Sequence, residues 1–184
     1  FYDSPAKEVA GELMRSSKVN LYHEHVLVKE PGTREKTPWH HDQPYYPVDG
    51  DHIVSLWIPL YAVAGETTVE FLAGSHRSGK WYQPKRFADA QTHQNIEARF
   101  EQPPDVDSAR DQFTILGWSL APGDCLAFHG LTLHGAPGNA STERRRAFSA
   151  RFTGDDARFV LRDGFMSPPP PEAGGPRVGA PMDS

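Results

Sequence analysis

His40 and Asp42, within Thr37-Pro38-Trp39-His40-His41-Asp42-Gln43, place an imidazole and a carboxylate two positions apart. On an extended strand both side chains leave the same face. Two such donors grip a metal ion but leave most of its coordination sphere open. A third ligand from elsewhere completes the two-His-one-carboxylate facial arrangement of non-haem Fe(II) oxygenases, which keeps positions free for a co-substrate and O2. Far downstream, Leu133-His134-Gly135 offers an imidazole, and His129 offers another. Trp39 on one side, and Gln43-Pro44-Tyr45-Tyr46 on the other, put aromatic and amide groups where a small pocket needs walls and hydrogen bonds. His41 alternates with its neighbours, so it is expected to face the other way as a surface or supporting histidine. The triplet alone is weak, because a chain with nine histidines produces His-x-Asp by chance.

The elements that would position these residues read as short strands. Val19 to Lys29 alternates, with Leu21, His23, His25, Leu27 and Lys29 on one face and Tyr22, Val26 and Val28 on the other. His52 to Leu60 is apolar on both faces, as in a strand inside a sandwich. Arg145 to Thr153 alternates cleanly, with Arg145, Ala147, Ser149 and Arg151 on one side and Arg146, Phe148, Ala150 and Phe152 on the other. Shorter strands are expected at 67–72, 113–116, 119–120 and 125–128. Ala6, Val9, Ala10, Leu13 and Met14 predict a surface helix over 5–16, with Ser4 as its N-cap. Strand patterning lapses over 80–112, which reads as an insertion beside the sheet: a lid with a short helix from Ala88 to Phe100, or a plain surface loop. The Pro- and Gly-rich residues 165–184 read as an extended tail that need not fold alone. Short strands punctuated by turns point to a β-sandwich or jelly roll, with few flanking helices.

At 184 residues, the chain is expected to form one domain spanning 1–184. A formal charge of −5 gives no general attraction to nucleic acid or anionic membranes. No apolar run approaches membrane-spanning length and no signal peptide is visible. The chain starts at Phe1 with no Met, which leaves an N-terminal region beyond it open. The single cysteine, Cys125, excludes an intrachain disulfide framework and fits a reducing compartment, the cytoplasm. Oligomeric state is not legible.

Several motifs together, in order, resemble the phytanoyl-CoA dioxygenase family. They are Thr37 to Gln43, Gly74-Ser75-His76-Arg77, Pro122-Gly123-Asp124, His129-Gly130-Leu131-Thr132-Leu133-His134-Gly135, Asn139 and the Arg-rich strand. The match runs from about Leu21 to Phe152. The resemblance implies a cupin-like double-stranded β-helix (a jelly roll) that uses Fe(II), 2-oxoglutarate and O2. Carried over by position, His40, Asp42 and His134 would hold the metal, with His129 as a structural residue. An Arg eleven residues after the distal histidine, here Arg145, would pair with the 2-oxoglutarate carboxylate. It lies between Arg144 and Arg146, so a register shift of one would change the assignment. Trp57 and His25 match positions that flank the co-substrate, and Lys29 and Tyr45 are candidate rim contacts. Ala73 stands where the family has Pro, and the Gly74-to-Arg77 motif reads as a turn that shapes the fold.

The resemblance therefore implies a dioxygenase that hydroxylates an unactivated C–H bond of a small organic substrate and releases succinate and CO2. Related halogenases replace the metal carboxylate by a small residue, and the presence of Asp42 argues for hydroxylation. A metal-dependent isomerase or hydrolase, or a binding module, on a similar scaffold is the competing class. Neither needs Arg145.

Overall fold

The computed structural model describes residues 3–88, 90–94, 96–171 and 174–183. In chain order its strands are β1 (Asn20–Lys29), β2 (Thr37–His40), β3 (Val48–Asp49), β4 (Ile53–Pro59), β5 (Glu70–Leu72), β6 (Ile115–Leu116), β7 (Leu126–His129), β8 (His134–Ala136), β9 (Arg145–Thr153) and β10 (Arg158–Phe159). One sheet has the order β1-β9-β4-β7, the second the order β2-β8-β5-β6, and β10 pairs with β3. Every pairing is antiparallel. This is the jelly roll, flanked by one α-helix, α1 (Ala6–Met14).

Strand β9 lies between β1 and β4 and sorts its side chains by parity. Ala150 and Phe152, with Val54 and Leu56 of β4, face outward and are covered by Ala6, Ala10 and Met14 of α1. Alanines at an i,i+4 spacing let the helix lie close to the sheet. On the inner face, Ala147, Trp57 and Phe128 meet Val69 and Phe71 of the opposite sheet. The Phe71 and Phe128 ring centroids are 5.0 Å apart. Each such buried Phe, Leu or Val contributes roughly 1.5–3 kcal/mol, so apolar contacts on both faces of the larger sheet hold the roll closed. Between these layers, β9 and β4 also place Arg151 opposite Ser55 and Ser149 opposite Trp57, which makes one stretch of the interior polar.

Four details depart from the sequence pattern. The expected face of β1 is broken by a bulge between Leu21 and His23. Leu21 packs with the α1 cluster while Tyr22 packs with Tyr46 and Val48. A bulge inserts one unpaired residue and so resets the alternation. The helix expected from Ala88 to Phe100 does not form among the described residues. Ala90 adopts φ of 57°, which a right-handed helix cannot contain, and Lys85 instead bridges Thr92. Asp89 and Asn95 lie outside the described residues. Helix α1 starts after Pro5, one residue later than a Ser4 cap implies, although Ser4 Oγ still accepts from the Ala6 amide at 3.4 Å. The tail does not stand apart from the fold: Ser167 donates to the Tyr45 carbonyl at 2.7 Å, and Phe159 donates to the Ala180 carbonyl at 2.9 Å.

Candidate metal centre

β2 and β8 are neighbours, and their register sets His40 opposite His134. Gly135 permits this approach, because a Cβ there would lie 3.1 Å from the Thr37 carbonyl oxygen and 3.2 Å from the Trp39 ring. Asp42 follows β2, its backbone and that of Gln43 both donating to the Gly130 carbonyl. The result is a buried cluster in which His40, Asp42 and His134 each offer one ligand atom within 4.8 Å of the others. It is the one such cluster among the described residues. Asp42 Oδ1 is 3.7 Å from Nε2 of His40 and 3.7 Å from Nε2 of His134.

The orientation of both rings suits a metal. Nδ1 of His40 lies 2.7 Å from the Pro38 carbonyl oxygen, and Nδ1 of His134 lies 2.9 Å from that of Thr132. A carbonyl only accepts, so each Nδ1 carries the proton and each Nε2 presents a lone pair to the cluster. Burial, and then the neighbouring His40, push the His134 imidazole down to about 3, so it is neutral at pH 7. Neutral imidazoles and one carboxylate are the donors that suit Fe(II) with open positions.

The second oxygen of Asp42 is already committed. Oδ2 accepts from Ser55 Oγ at 2.9 Å and from Arg151 Nε at 3.3 Å. Burial alone would push the Asp42 carboxyl up; the Arg151 guanidinium beside it prevails and holds it well below the usual carboxylate range. Arg151 also donates to Nδ1 of His25 at 2.9 Å, and Nε2 of His25 lies 2.9 Å from Nε2 of His23. Both ring nitrogens of His25 are therefore engaged by protein, although its ring lines the same cavity.

That cavity, of about 540 Å³, holds His40, Asp42, His134, Trp57, His25, Lys29, Tyr45 and Arg145 on its walls. Of the three consecutive arginines only Arg145 lines it. Arg144 pairs with Glu30 at the surface, and Arg146 lies over the Tyr61 ring. The Arg145 guanidinium donates to the Thr67 carbonyl and sits 6.0 Å from the Trp57 ring centroid. Lys29 faces Arg145 across β1 and β9. Burial, and then Arg145, push the Lys29 ammonium down to about 8. His129 lies apart from the donors, its Nε2 on the Asp51 carbonyl and its Nδ1 accepting from Leu131. His41 is buried 4.8 Å from the Tyr82 ring, and neither of its ring nitrogens has a hydrogen-bond partner among the described residues.

The phytanoyl-CoA dioxygenase (PhyH) family profile matches residues 2–147, which includes both histidines and the carboxylate of the cluster. The chain belongs to the phytanoyl-CoA dioxygenase family. Solved structures agree on the fold. The epimerase SnoN, in complex with Fe3+, alpha ketoglutarate and nogalamycin RO, is 24% identical with a TM-score of 0.69, over 96% of this chain and 66% of that one. The non-heme alpha ketoglutarate dependent carbocyclase SnoK from nogalamycin biosynthesis is 25% identical with a TM-score of 0.65, over 84% and 58%. EvdO2 from Micromonospora carbonacea var. aurantiaca, complexed with 2-oxoglutarate, is 23% identical with a TM-score of 0.65, over 86% and 63%. This chain therefore spans less than two thirds of each of these proteins. No curated protein sequence matches. No helix among the described residues is long and apolar enough to cross a membrane. The His–Asp–His donor set matches the Fe(II) and 2-oxoglutarate dependence of such enzymes.

Sequence reasoning passed over Ser55 and Arg151 as partners of Asp42, and Phe87, whose ring centroid is 4.6 Å from that of His40. A signal for Arg151 was present, since it shares the alternation of Arg145 and Ser149 on β9. Nothing local marks Phe87, which arrives on the irregular segment after Lys80.

Proposed function

We propose that this chain is the catalytic jelly roll of an Fe(II)- and 2-oxoglutarate-dependent oxygenase that hydroxylates an unactivated C–H bond of a small organic molecule, with release of succinate and CO2. The observation that carries this reading is the convergence of two free Nε2 lone pairs and one uncommitted carboxylate oxygen in the same cavity as Arg145. A hydrolase would need the donors but not the half-buried Arg145. Bound iron with 2-oxoglutarate and O2 supplies an oxidant able to take hydrogen from an unactivated carbon.

The residues of the chain supply geometry. His40, Asp42 and His134 would hold the metal on one side and leave the other open toward the cavity. Arg145 would take the far carboxylate of 2-oxoglutarate in a charge-assisted, two-pronged contact, with Trp57 beside it. Arg151 and Ser55 keep Asp42 from turning. Phe87 and Tyr45 set their rings against His40 and against each other, giving the donors an apolar wall on the cavity side. The lone, exposed Cys125 suits a reducing cytoplasm.

Anaerobic titration of the Fe(II)-loaded protein with 2-oxoglutarate, followed by the visible charge-transfer absorption of a chelated 2-oxo acid, tests the site. The band is expected in the parent, absent in Asp42→Ala, and shifted to higher 2-oxoglutarate concentration in Arg145→Ala. Iron binding without any band would sink the oxygenase reading. Two of the solved structures similar to this chain, an epimerase and a carbocyclase, favour a second outcome on the same site, in which the product gains no oxygen. Turnover under 18O2 separates the two: label in the product means hydroxylation, and label confined to succinate means inversion or ring closure.

A further inference from the structure

A protein with 24 acidic and 19 basic side chains has built a cavity with the opposite balance. Among the described residues Lys29, Lys85, Arg86, Arg145 and Arg151 all line it, against a single carboxylate, Asp42. Three of these cations are accounted for. Arg151 is paired with Asp42. Lys29 Nζ donates to the carbonyls of Glu35, Pro137 and, at 3.4 Å, Ala136, which uses its three N–H groups. Arg145 is the co-substrate anchor of the oxygenase reading. Arg86, at the mouth, donates to Gln91 at 2.9 Å. Lys85 is partly buried as a residue, and no carboxylate among the described residues pairs with it.

Lys85 is held in place by its backbone. Its N–H donates to Tyr45 Oη and its carbonyl accepts from the same hydroxyl, both at 2.7 Å. It also forms an antiparallel bridge with Thr92. Two positions along, Phe87 lines the cavity, is 54% exposed despite its size, and reaches the His40 ring. Phe165, 45% exposed, stacks on His93 at a centroid distance of 4.2 Å and lines the same cavity. A large apolar side chain left open beside a metal donor, with a lysine on a pinned backbone at the same rim, describes the two ends of a ligand.

We infer that the outer half of the cavity takes a small organic acid as substrate, its anionic group on Lys85 at the rim and its ring-bearing body against Phe87 beside the metal donors. The inference rests on the oxygenase reading and names the substrate class for it. Burial in the mouth strengthens the attraction between Lys85 and an anion relative to open water, and the surrounding cations repel an amine. The volume of about 540 Å³ also has to admit 2-oxoglutarate, which keeps the substrate small.

The test uses the full chain loaded with Mn(II), without O2, in a calorimeter. 2-Oxoglutarate is titrated first, so that failure of the oxygenase reading is seen as absent co-substrate binding. 2-Naphthoate, 2-naphthamide and 2-naphthylmethylammonium then serve as acidic, neutral and cationic probes of one ring body. The comparison is still read on the metal-free protein if 2-oxoglutarate does not bind. Naphthoate is expected to bind about tenfold more tightly than the amide, and the ammonium most weakly. Lys85→Gln should remove the advantage of the acid and leave amide binding as it was, and Lys85→Arg should restore it. Equal binding of acid and amide, preference for the ammonium, survival of the acid preference in Lys85→Gln, or binding of none of the three would each overturn the inference.

Discussion

Arg151 donates to Oδ2 of Asp42 at 3.3 Å, while Oδ1 of the same carboxylate stands 3.7 Å from both His40 Nε2 and His134 Nε2. One buried carboxylate thus answers to a permanent cation on one oxygen and to the donor cluster on the other. Asp42 and Arg151 are 4% and 5% exposed, so neither charge is solvated if the other is removed. The pair explains how an anion persists in this interior before any metal arrives.

Replacing Arg151 by Met should therefore destabilise the metal-free protein by about 3–5 kcal/mol, because it strands a buried charge. Urea denaturation of the metal-free parent and variant measures the loss. Adding Mn(II) should recover part of it, since a divalent ion returns positive charge to Asp42. A metal-free variant as stable as the parent would show that Arg151 does not compensate Asp42.

Acid should weaken the metal-free fold well before its carboxylates protonate. Burial holds His25 at about 4, and His41 and His134 at about 3, against about 6.5 in the unfolded chain. Between those values the unfolded state binds protons that the folded state refuses, so stability rises with pH across the window and is lost as pH falls from about 6.5 toward 4. Asp42, held well below the usual range, adds a loss in the same direction only below about 3.9. Thermal midpoints measured from pH 7.5 to 4 should fall steadily; a flat profile would mean that these histidines are solvated.

Arg145→Ala should raise the dissociation constant for 2-oxoglutarate about 10- to 100-fold while Mn(II) still binds, because a charge-assisted contact is lost far from the metal donors. Calorimetric titration of each ligand in turn separates the two effects. Arg144→Ala, at a surface pair with Glu30, should leave both titrations as in the parent.

The parts of this arrangement legible in the sequence are those carried by local spacing. His40 and Asp42 sit in one short stretch, and the alternation of β9 puts Arg145, Ser149 and Arg151 on one face. The partners of Asp42 are not local: Ser55 is 13 residues away and Arg151 is 109. Only the cross-strand register that sets Ser55 against Arg151 brings them together. The bulge at Tyr22 was hidden for a related reason, since alternation read along one strand carries no record of an extra residue relative to its partner. Over 80–112, composition alone allowed a helix, and the left-handed turn at Ala90 excludes it.

The double contact of Tyr45 with Lys85 leads to a local prediction. The Tyr45 hydroxyl both accepts from and donates to the Lys85 backbone, at 2.7 Å each, and so ties the donor stretch to the segment that carries Phe87. Tyr45→Phe removes both bonds and keeps the ring against Phe87 and His40. The cost, about 1–3 kcal/mol for polar groups left without partners, falls on that segment while the sheets keep their pairing. Hydrogen exchange at the Lys85 amide should therefore accelerate by about 5- to 100-fold, with the amides of β4 and β9 unchanged. Unchanged protection at Lys85 would mean that the Thr92 bridge alone holds the segment down, and acceleration spread over β4 and β9 would mean that Tyr45 supports the whole roll.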